Sequence, residues 1–396
     1  MRVLAVNCGS SSLKFDLFDA TTAEPARLAA GIVERIGPEA TYSLDFDGGR
    51  LTETRPVLDH RQAFDAAFDL LSASGLAAGM EAIGHRIVHG GARFREAAPI
   101  DGAVIEAIGA ASELAPLHNR PALAAIEAAR ARAGSIPMVA SFDTAYYADL
   151  PEVAALYALP RDLSERLGIR RYGFHGLAHR YMVELYRSLR PDVERPRLIT
   201  LQLGNGCSAT ASVDGMPLDT SMGFTPLEGL IMGTRAGDLD PAIPLFLAQR
   251  GGFSLEQVEA LLNNDSGLLG LSGRSNDMRD LLQAEADGDE HAALAVEAFC
   301  YRVTKYAGAY MAVLGGADAL VFGGGIGERS AAVRQRICAG LRWAGLALDT
   351  EANDGESRKD RCISASGSAI EAWVVVVDEA AVIAKEVVVC LGKTAR

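Results

Sequence analysis

The chain has 396 residues, of which 49% are hydrophobic and 22% charged; this composition excludes a disordered or fibrous protein, and at about 150 residues per domain it predicts two to three domains. The 38 Lys and Arg side chains against 51 Asp and Glu leave a net charge of −13, which disfavours nucleic acid and membrane surfaces as partners. An anionic substrate would therefore need a local cluster of cationic side chains.

The chain begins with two predicted strands around a polar loop. Residues 2–6 and 13–18 have strand-like apolar patterns, and the Asn-Cys-Gly-Ser-Ser-Ser segment 7–12 between them is typical of a tight turn. The first apolar run is too short for a signal peptide, and no stretch approaches the ~18 apolar residues of a membrane helix, so we expect a cytoplasmic protein. Ala, Leu and charged residues at helical spacing then predict helices over 61–74 and 120–133.

The strand, loop and strand order returns in the middle of the chain. Residues 198–203 and 209–213 are predicted strands, and Gly204-Asn205-Gly206-Cys207-Ser208 lies between them. Strands that alternate with helices predict an α/β architecture with two related halves, and the best candidate for a boundary is 145–151. The later elements are predicted helices over 290–314, 331–343 and 379–389, and predicted strands over 319–322 and 373–377.

Three Gly-rich loops follow apolar strands, at 7–12, 204–208 and 323–328. Glycine lets backbone N–H groups approach phosphate oxygens closely, and a following helix adds its positive end. An ordinary tight turn is the more common explanation of any one such loop, but three in this arrangement favour a nucleotide. Because neither a Walker A nor a GxGxxG pattern is present, another fold must hold that nucleotide.

Cationic side chains accompany histidines in 85–91, in 117–120 and in 170–176, and a further arginine is Arg235. A surface ion pair or a core role is the commoner explanation of any single one, but arginine forks suit carboxylate and phosphate oxygens. His175 and the histidine four residues later could bind a metal, although no third ligand is evident. The six cysteines have no CxxC spacing, so zinc and a disulfide framework are both disfavoured.

Longer motifs resemble the acetate kinase family over nearly the whole chain. They are 6–15 (VNCGSSSLKF), 85–91 (HRIVHGG), 114–119 (LAPLHN), 142–145 (FDTA), 170–176 (RRYGFHG), 219–229 (DTSMGFTPLEG) and 233–241 (GTRAGDLDP). The resemblance implies an α/β fold with a duplicated actin-like, sugar-kinase-like ATPase core, made of ribonuclease H-like halves with a cleft between two domains. Residues 1–146 plus 380–396 would form the N-terminal domain, and 147–379 the C-terminal nucleotide-binding domain.

The resemblance also implies a reaction, which is reversible in-line transfer of the ATP γ-phosphoryl group to acetate. The products would be acetyl phosphate and ADP, with Mg²⁺ or Mn²⁺ as cofactor, and the enzyme would be a homodimer. A carboxylate nucleophile is already ionised at pH 7 and needs no general base, so alignment and charge neutralisation would supply the catalysis.

Site residues follow from the resemblance position by position. Arg86 and Arg235 would hold the carboxylate and the moving phosphoryl group, His175 would donate to that group, Asp143 would orient an arginine, and His118 would support the site. The other implied residues are Ser10, Ser12, Lys14, Asn205 and Gly206 on the phosphate side; Asp277, Met278, Arg279, Gly323, Gly324, Gly325, Ile326, Gly327 and Glu328 around adenosine; Val88, Leu117, Phe174 and Pro226, with Arg86, in the substrate pocket; and Asn7 and Glu379 at the metal.

Four places depart from the family pattern. Gln202 replaces a usual His, Tyr147 another His, Arg120 a Pro, and residues 177–178 (Leu-Ala) a Thr-Ser pair. These departures leave nucleotide-phosphate contacts and substrate preference open, but not the reaction class. Gln202 either faces the phosphates or only fills space at a strand end.

Two alternative functions remain open from the sequence. A propionate or butyrate kinase differs from an acetate kinase only in pocket size, and one methylene is worth only about 1–3 kcal/mol. A non-catalytic nucleotide-binding switch could use the same fold, because fold alone does not decide function. A nucleotide clamp would, however, have no need of Arg86, His175 and Arg235.

Overall fold

A computed structural model of the chain describes residues 1–9, 11–22, 24–355 and 359–394, without the side chains of 116, 117 and 394. Within them the strands are β1 (Arg2–Cys8), β2 (Ser12–Asp19), β3 (Ala26–Glu34), β4 (Gly37–Phe46), β5 (Gly49–Val57), β6 (Ala82–Ile87), β7 (Ala98–Pro99), β8 (Met138–Phe142), β9 (Arg197–Leu203), β10 (Cys207–Val213), β11 (Met216–Thr220), β12 (Ala319–Gly323), β13 (Arg361–Cys362) and β14 (Glu371–Val374).

The helices of the described residues are α1 (His60–Ala73), α2 (Gly102–Ala111), α3 (Pro116–Ala133), α4 (Glu152–Ala155), α5 (Arg161–Leu167), α6 (Gly176–Leu189), α7 (Ala242–Arg250), α8 (Leu255–Asn264), α9 (Gly267–Ser272), α10 (Met278–Ala286), α11 (Glu290–Leu314), α12 (Gly324–Arg329), α13 (Ala331–Ala339), α14 (Thr350–Asp354) and α15 (Glu379–Thr394). Short 3₁₀ helices span Asp143–Tyr147 and Arg342–Ala344. None of these helices is both long enough and apolar enough to cross a membrane.

The chain divides into two compact units, each built on one mixed sheet. Unit 1 comprises Met1–Ala148 and Asp378–Arg396, and unit 2 comprises Asp149–Val377. The described strands have the order β5-β4-β3-β2-β1-β6-β8-β7 in unit 1 and β11-β10-β9-β12-β14-β13 in unit 2. In both sheets an antiparallel meander, of five strands (β1–β5) in unit 1 and three (β9–β11) in unit 2, adjoins two strands that run parallel to its first strand. This repeated arrangement confirms the predicted α/β class and its duplicated core.

Unit 1 covers both faces of its central strands. Residues 3–6 of β1 are all buried, as expected of a strand with helices on both faces. Helices α1 and α3 contribute to the core on one face. On the other face Gly84 makes room for α15, because a Cβ there would lie 2.4 Å from Ile383 and 2.7 Å from Val387. The C-terminal helix therefore belongs to the core of unit 1.

Unit 2 has a comparable core on the α6 side of its sheet. Met182, Val183 and Tyr186 of α6 pack against Leu198 of β9 and Val321 of β12. Strands β9 and β10 form a hairpin that turns at residues 204–206. This hairpin and the end of β12 position the Gly-rich segments of unit 2.

The third Gly-rich segment differs from its prediction. It was expected to be a loop, but β12 ends at Gly323 and α12 begins at Gly324, whose φ is +74°. A Cβ on Gly324 would lie 2.6 Å from the carbonyl oxygen of Leu203. The buried Arg334 donates to the carbonyls of Gly327 and Glu328 at 2.9 and 3.0 Å. Tertiary contacts thus stabilise a helix that glycine propensity disfavours.

Other differences concern boundaries and missed elements. The predicted helix over 331–343 is α13 followed by a 3₁₀ turn, and the predicted strand over 373–377 is β14. The predicted helix over 120–133 begins earlier, with Pro116 in its first turn. The meander β3–β5 was not predicted, because β5 is largely exposed and lacks an apolar alternation. The helix over 290–314 is confirmed at both ends by the Asp289 N-cap and by Gly315 in the left-handed conformation.

Candidate active site

Unit 1 places an arginine between two carboxylates at the carboxyl ends of neighbouring strands. Arg86 is on β6, Asp143 directly follows β8, Asn7 is on β1, and Glu379 is the first residue of α15. Arg86 Nε and Nη2 donate to the two oxygens of Asp143 at 3.0 and 2.7 Å, which is a bidentate pair. Its Nη1 lies 3.3 Å from Asn7 Oδ1 and 3.1 Å from Glu379 Oε2. The guanidinium is thereby fixed in one orientation.

The charges of this cluster do not balance. Burial alone would lower the pKa of Arg86, but Asp143 and Glu379 outweigh it and raise the pKa above its ordinary value. Burial raises the pKa of Glu379, Arg86 opposes that effect, and Asp143 adds to it. Among the described residues, Arg86 is the one cation in ion-pair contact with both of these carboxylates, of which Asp143 is fully buried, while Lys14 acts on Glu379 from farther away. A second cation would lower the energy of the cluster.

Asn7 and Glu379 fit the hard cation that the resemblance implies. Asn7 Nδ2 donates to Glu379 Oε2 at 2.9 Å, so the amide and carboxylate lie side by side. Among the described residues, no group of three or more His, Cys, Asp or Glu is arranged to hold a metal. Two oxygen ligands, with water and phosphate completing the shell, suit Mg²⁺ better than an all-protein cage would.

The other predicted residues of unit 1 are dispersed along its elements. Lys14 is an exposed residue of β2 whose register partner is Asn7. Ser12 begins β2, His118 is half-exposed in the first turn of α3, and Val88 is buried just after β6. Ser10 and the side chain of Leu117 lie outside the described residues.

Unit 2 brings His175 and Arg235 together around Gly206. A Cβ on Gly206 would lie 2.9 Å from Arg235 Nη2 and 3.4 Å from His175 Nε2, so both groups border this glycine. Arg235 Nη1 donates to the carbonyl of Pro226 at 2.6 Å. His175 precedes α6 with a φ of +57°, a left-handed conformation that is uncommon outside glycine. Such strain persists only where surrounding contacts hold it.

Arg235 is a cation without a carboxylate partner within ion-pair distance in the part of the chain that the structure describes. Burial lowers its pKa, and the Cys207 thiol opposes that shift only partly. A guanidinium that has lost water and gained no counter-ion attracts an external anion. This property distinguishes Arg235 from Arg86.

The segment 219–229 that carries Pro226 is anchored by side chains of unit 2. Arg171 Nη2 donates to Glu228 Oε1 at 2.6 Å, and the Tyr157 hydroxyl donates to the other oxygen of Glu228. The Phe224 N–H donates to Tyr157 at 2.9 Å. The segment thus holds the carbonyl that orients Arg235. Phe174 is buried, whereas Pro226 is only half-buried.

A cavity of about 480 Å³ opens in unit 2 next to the second and third Gly-rich segments. Its lining contains six predicted residues, which are Asn205, Asp277, Met278, Arg279, Gly325 and Ile326. It also contains Gly204, which begins the predicted Gly-rich loop 204–208, and four residues that the sequence analysis did not single out, which are Asn276, Leu282, Arg329 and Ser330. Asn276 donates to Asn205 Oδ1 at 3.0 Å, and its position beside Asp277 was the signal that could have identified it.

Of two other predicted glycines, Gly323 is required to be small and Gly327 is not. A Cβ on Gly323 would lie 2.6 Å from Val377 and 2.7 Å from Met182, so a larger residue at the end of β12 would force these side chains to move. A Cβ on Gly327 would make ordinary contacts only, the nearest at 3.6 Å to backbone and side-chain atoms of Phe322. Glu328 accepts from the Gly324 N–H at 3.1 Å and from the Val377 N–H at 3.2 Å, which fixes the start of α12.

The departures from the family pattern occupy different environments. Gln202 is half-buried on β9 and is the register partner of Gly323. Its Oε1 is buried and has no hydrogen-bond partner among the described residues. Tyr147 and the pair 177–178 are buried, whereas Arg120 is exposed. The rings of His175 and His179 both contact Ser208 instead of facing a common metal.

Comparisons with known proteins agree over nearly the full length. A model of the acetokinase family matches residues 2–385. The acetate kinase of Solibacter usitatus is 49% identical over 408 residues, covering 99% of this chain and 98% of the relative, and that of Chloroherpeton thalassium is 45% identical with 99% of each covered.

Solved structures of short-chain acyl kinases are also similar to this chain over nearly its full length. The acetate kinase of Porphyromonas gingivalis superposes with a TM-score of 0.89 at 37% identity, covering 98% of this chain and 99% of the other. A propionate kinase from Francisella tularensis superposes with a TM-score of 0.91 at 37% identity, covering 97% and 98%.

Proposed function

The chain belongs to the acetokinase family and is a phosphotransferase, and from that premise we propose that it transfers the γ-phosphoryl group of ATP reversibly to acetate, giving acetyl phosphate and ADP. The observation that carries the proposal is Arg235. It is a cation without a carboxylate partner among the described residues, and it lies with His175 around Gly206. That arrangement suits an anion whose negative charge grows in the transition state.

Unit 1 supplies the group that holds the acceptor in this proposal. The carboxylate of acetate is ionised at pH 7, so catalysis needs orientation and no proton abstraction. Arg86, which the Asp143 fork holds in one orientation, would bind that carboxylate. Asn7 and Glu379 would hold Mg²⁺ or Mn²⁺, which neutralises charge on the phosphate oxygens when it is bound.

Unit 2 supplies the groups that act on the phosphoryl donor. In transfer the charge spreads over the three equatorial oxygens of the phosphoryl group, where Arg235 and His175 would donate. The cavity beside Asn205 would hold the nucleotide, with Asp277, Met278 and Arg279 on the adenosine side. We propose the cytoplasm as its location because the reaction consumes ATP.

One assay separates this proposal from a non-catalytic nucleotide switch. ADP formation is measured with ATP and Mg²⁺, with acetate and with no acid, and the acyl phosphate is trapped with hydroxylamine. We expect ADP and trapped acyl phosphate in equal amounts, and only when acetate is present. Equal rates of ADP formation with and without acetate would favour the switch.

A propionate kinase is the second candidate, because the Francisella tularensis propionate kinase has a similar fold. We expect acetate to be preferred, and Val88→Ala to raise kcat/KM for propionate relative to acetate about fivefold, or about 1 kcal/mol, because a buried methyl pair is removed. The measurement is kcat/KM for acetate, propionate and butyrate. Val57→Ala is the control, a buried valine on β5 that should leave the ratio unchanged. A wild-type preference for butyrate would contradict the assignment.

A substitution of Gln202 tests whether this side chain faces the phosphates of the bound nucleotide. If it faces the phosphates, Gln202→His should lower the KM for ATP more at about pH 6 than at about pH 8, because only a protonated imidazole adds attraction. Its place beside Gly323, where α12 begins, supports that orientation. An equal KM ratio at both pH values would mean that Gln202 only fills space.

We also propose a homodimer. Two helices of unit 2 support this proposal. Helix α7 has no buried residue, and its Leu245 and Phe246 are 58% and 63% exposed. Leu255 of α8 is 69% exposed. Apolar side chains grouped in this way are typical of an interface. Light scattering should give twice the chain mass, and Phe246→Glu should lower that value towards one chain.

A further inference from the structure

Behind His175 lies a row of buried polar side chains that the proposed mechanism does not use. His175 Nδ1 lies 2.8 Å from Ser208 Oγ, and that hydroxyl lies 2.7 Å from His179 Nε2. His179 Nδ1 in turn lies 2.7 Å from Thr200 Oγ1, which donates to the carbonyl of Thr210 at 3.4 Å. Thr200, His179 and Ser208 are all fully buried. We call these three side chains the relay.

The hydrogen bonds of the relay determine where its protons are. Burial lowers the pKa of His179 to about 3, so its ring is neutral at pH 7 and has one donor and one acceptor nitrogen. Thr200 gives its one hydrogen to a carbonyl and therefore accepts from His179 Nδ1. His179 Nε2 must then accept from Ser208. The Ser208 oxygen accordingly accepts from Nδ1 of His175.

The edge of the His175 ring opposite Ser208 faces Gly206 and Arg235. Nε2 and Cε1 lie 3.4 Å from where a Cβ of Gly206 would be, and Arg235 Nη2 lies 2.9 Å from the same point. The Arg235 guanidinium therefore borders this edge. With Nδ1 committed to Ser208, Nε2 carries a hydrogen only when the ring is an imidazolium.

We infer that His179 is a positioning residue, which acts through Ser208 to keep the Nδ1–H of His175 towards β10 and its Nε2 towards Gly206 and Arg235. This inference rests on the proposed function, in which His175 donates to the phosphoryl group. His175 then donates only as a cation. The rate of the wild-type enzyme falls on the alkaline side as that cation loses its proton.

Two variants test the relay at different points. Ser208→Ala removes the bridge to His175. His179→Leu keeps Ser208 but frees its hydrogen to turn towards Nδ1 of His175, which leaves Nε2 as the protonated nitrogen of the neutral ring. Ser212→Ala is the matched control, because Ser212 is on the same strand, fully buried, and its hydroxyl has no partner among the described residues.

The first readout is the ¹⁵N NMR spectrum of histidine-labelled protein at alkaline pH, with His175 assigned by its loss in His175→Asn. In wild type and Ser212→Ala we expect the neutral ring to carry its proton on Nδ1, and in His179→Leu on Nε2. The second readout is the pH profile of kcat. Ser208→Ala should lower kcat about 10-fold with both KM values unchanged, as the loss of one hydrogen bond to a positioned donor predicts, and His179→Leu should keep its activity to higher pH than wild type.

The outcomes separate the relay from the proposed function. A wild-type ring protonated on Nε2, or a His179→Leu ring still protonated on Nδ1, would overturn the relay whatever the activity. A wild-type protein that makes no acyl phosphate from acetate would overturn the proposed function, while the NMR result would still report the relay. A His179→Leu pH profile that matches wild type would contradict the requirement for a cationic His175.

Discussion

Arg235→Ala is expected to lower kcat by about 10²- to 10³-fold, because in the proposed mechanism Arg235 is the preorganised cation that stabilises the charge of the phosphoryl group during transfer. The same substitution should not lower the stability of the folded protein. Burial lowers the pKa of Arg235, so the folded protein disfavours the charged guanidinium relative to water. Removing the side chain therefore removes an electrostatic cost, and the thermal midpoint should stay the same or rise.

Steady-state kinetics and thermal unfolding of the same purified protein measure both effects. Arg235→Lys keeps the charge but loses the fork, and we expect an intermediate kcat. Arg166→Ala is the control, since this exposed arginine of α5 should affect neither quantity. Near wild-type turnover in Arg235→Ala would refute the assigned role, and a large loss of stability would refute the electrostatic argument.

Arg86→Ala is expected to abolish turnover and also to lower the free energy of unfolding, by about 3–5 kcal/mol near pH 7, because it leaves buried carboxylates without their counter-ion. Asp143 is fully buried and loses both of its hydrogen bonds from Arg86. The two arginines therefore differ in kind. Arg86 forms a structural ion pair and would also bind substrate. Arg235, in contrast, is buried by the fold at an electrostatic cost.

The stability loss should depend on pH in a defined direction. The pKa of Glu379 is raised in the folded protein, and losing Arg86 removes an effect that lowers it, so the pKa rises further. A group with a raised folded pKa makes the protein less stable as the pH rises from its unfolded towards its folded pKa, because the folded state then binds more protons. The deficit of Arg86→Ala should thus be smaller at about pH 5 than at about pH 8.

Urea unfolding at the two pH values measures that deficit, and the acetate-dependent assay measures turnover. Arg86→Lys retains the charge without the bidentate geometry, so it should fold stably and lose about 10²-fold in kcat. An Arg86→Lys enzyme with wild-type kcat would show that the fork is not used. A deficit in Arg86→Ala that grew towards acid pH would contradict the role given to Glu379.

Local pattern was sufficient where an element is fixed by its own residues. The helix over 290–314 was predicted at both ends because Asp289 and Gly315 cap it locally. The two strand–loop–strand units were visible because hairpin strands are adjacent in sequence. The segment 323–328 was predicted wrongly as a loop, because α12 is stabilised from outside the segment by Arg334, which donates to the carbonyls of Gly327 and Glu328.

The sequence by itself determined the family, the duplicated α/β fold, and which arginines and histidines are candidates for the site. It could do so because motifs and hairpins consist of residues that are adjacent in the sequence. Only the tertiary structure decided what each candidate does there, because the partners that set charge and orientation are distant along the chain. Asn7 and Glu379 are 372 residues apart yet share a hydrogen bond, and Arg86 and Asp143 are 57 apart. Motifs alone could not distinguish the paired cation Arg86 from Arg235, since burial and counter-ions are properties of the folded chain.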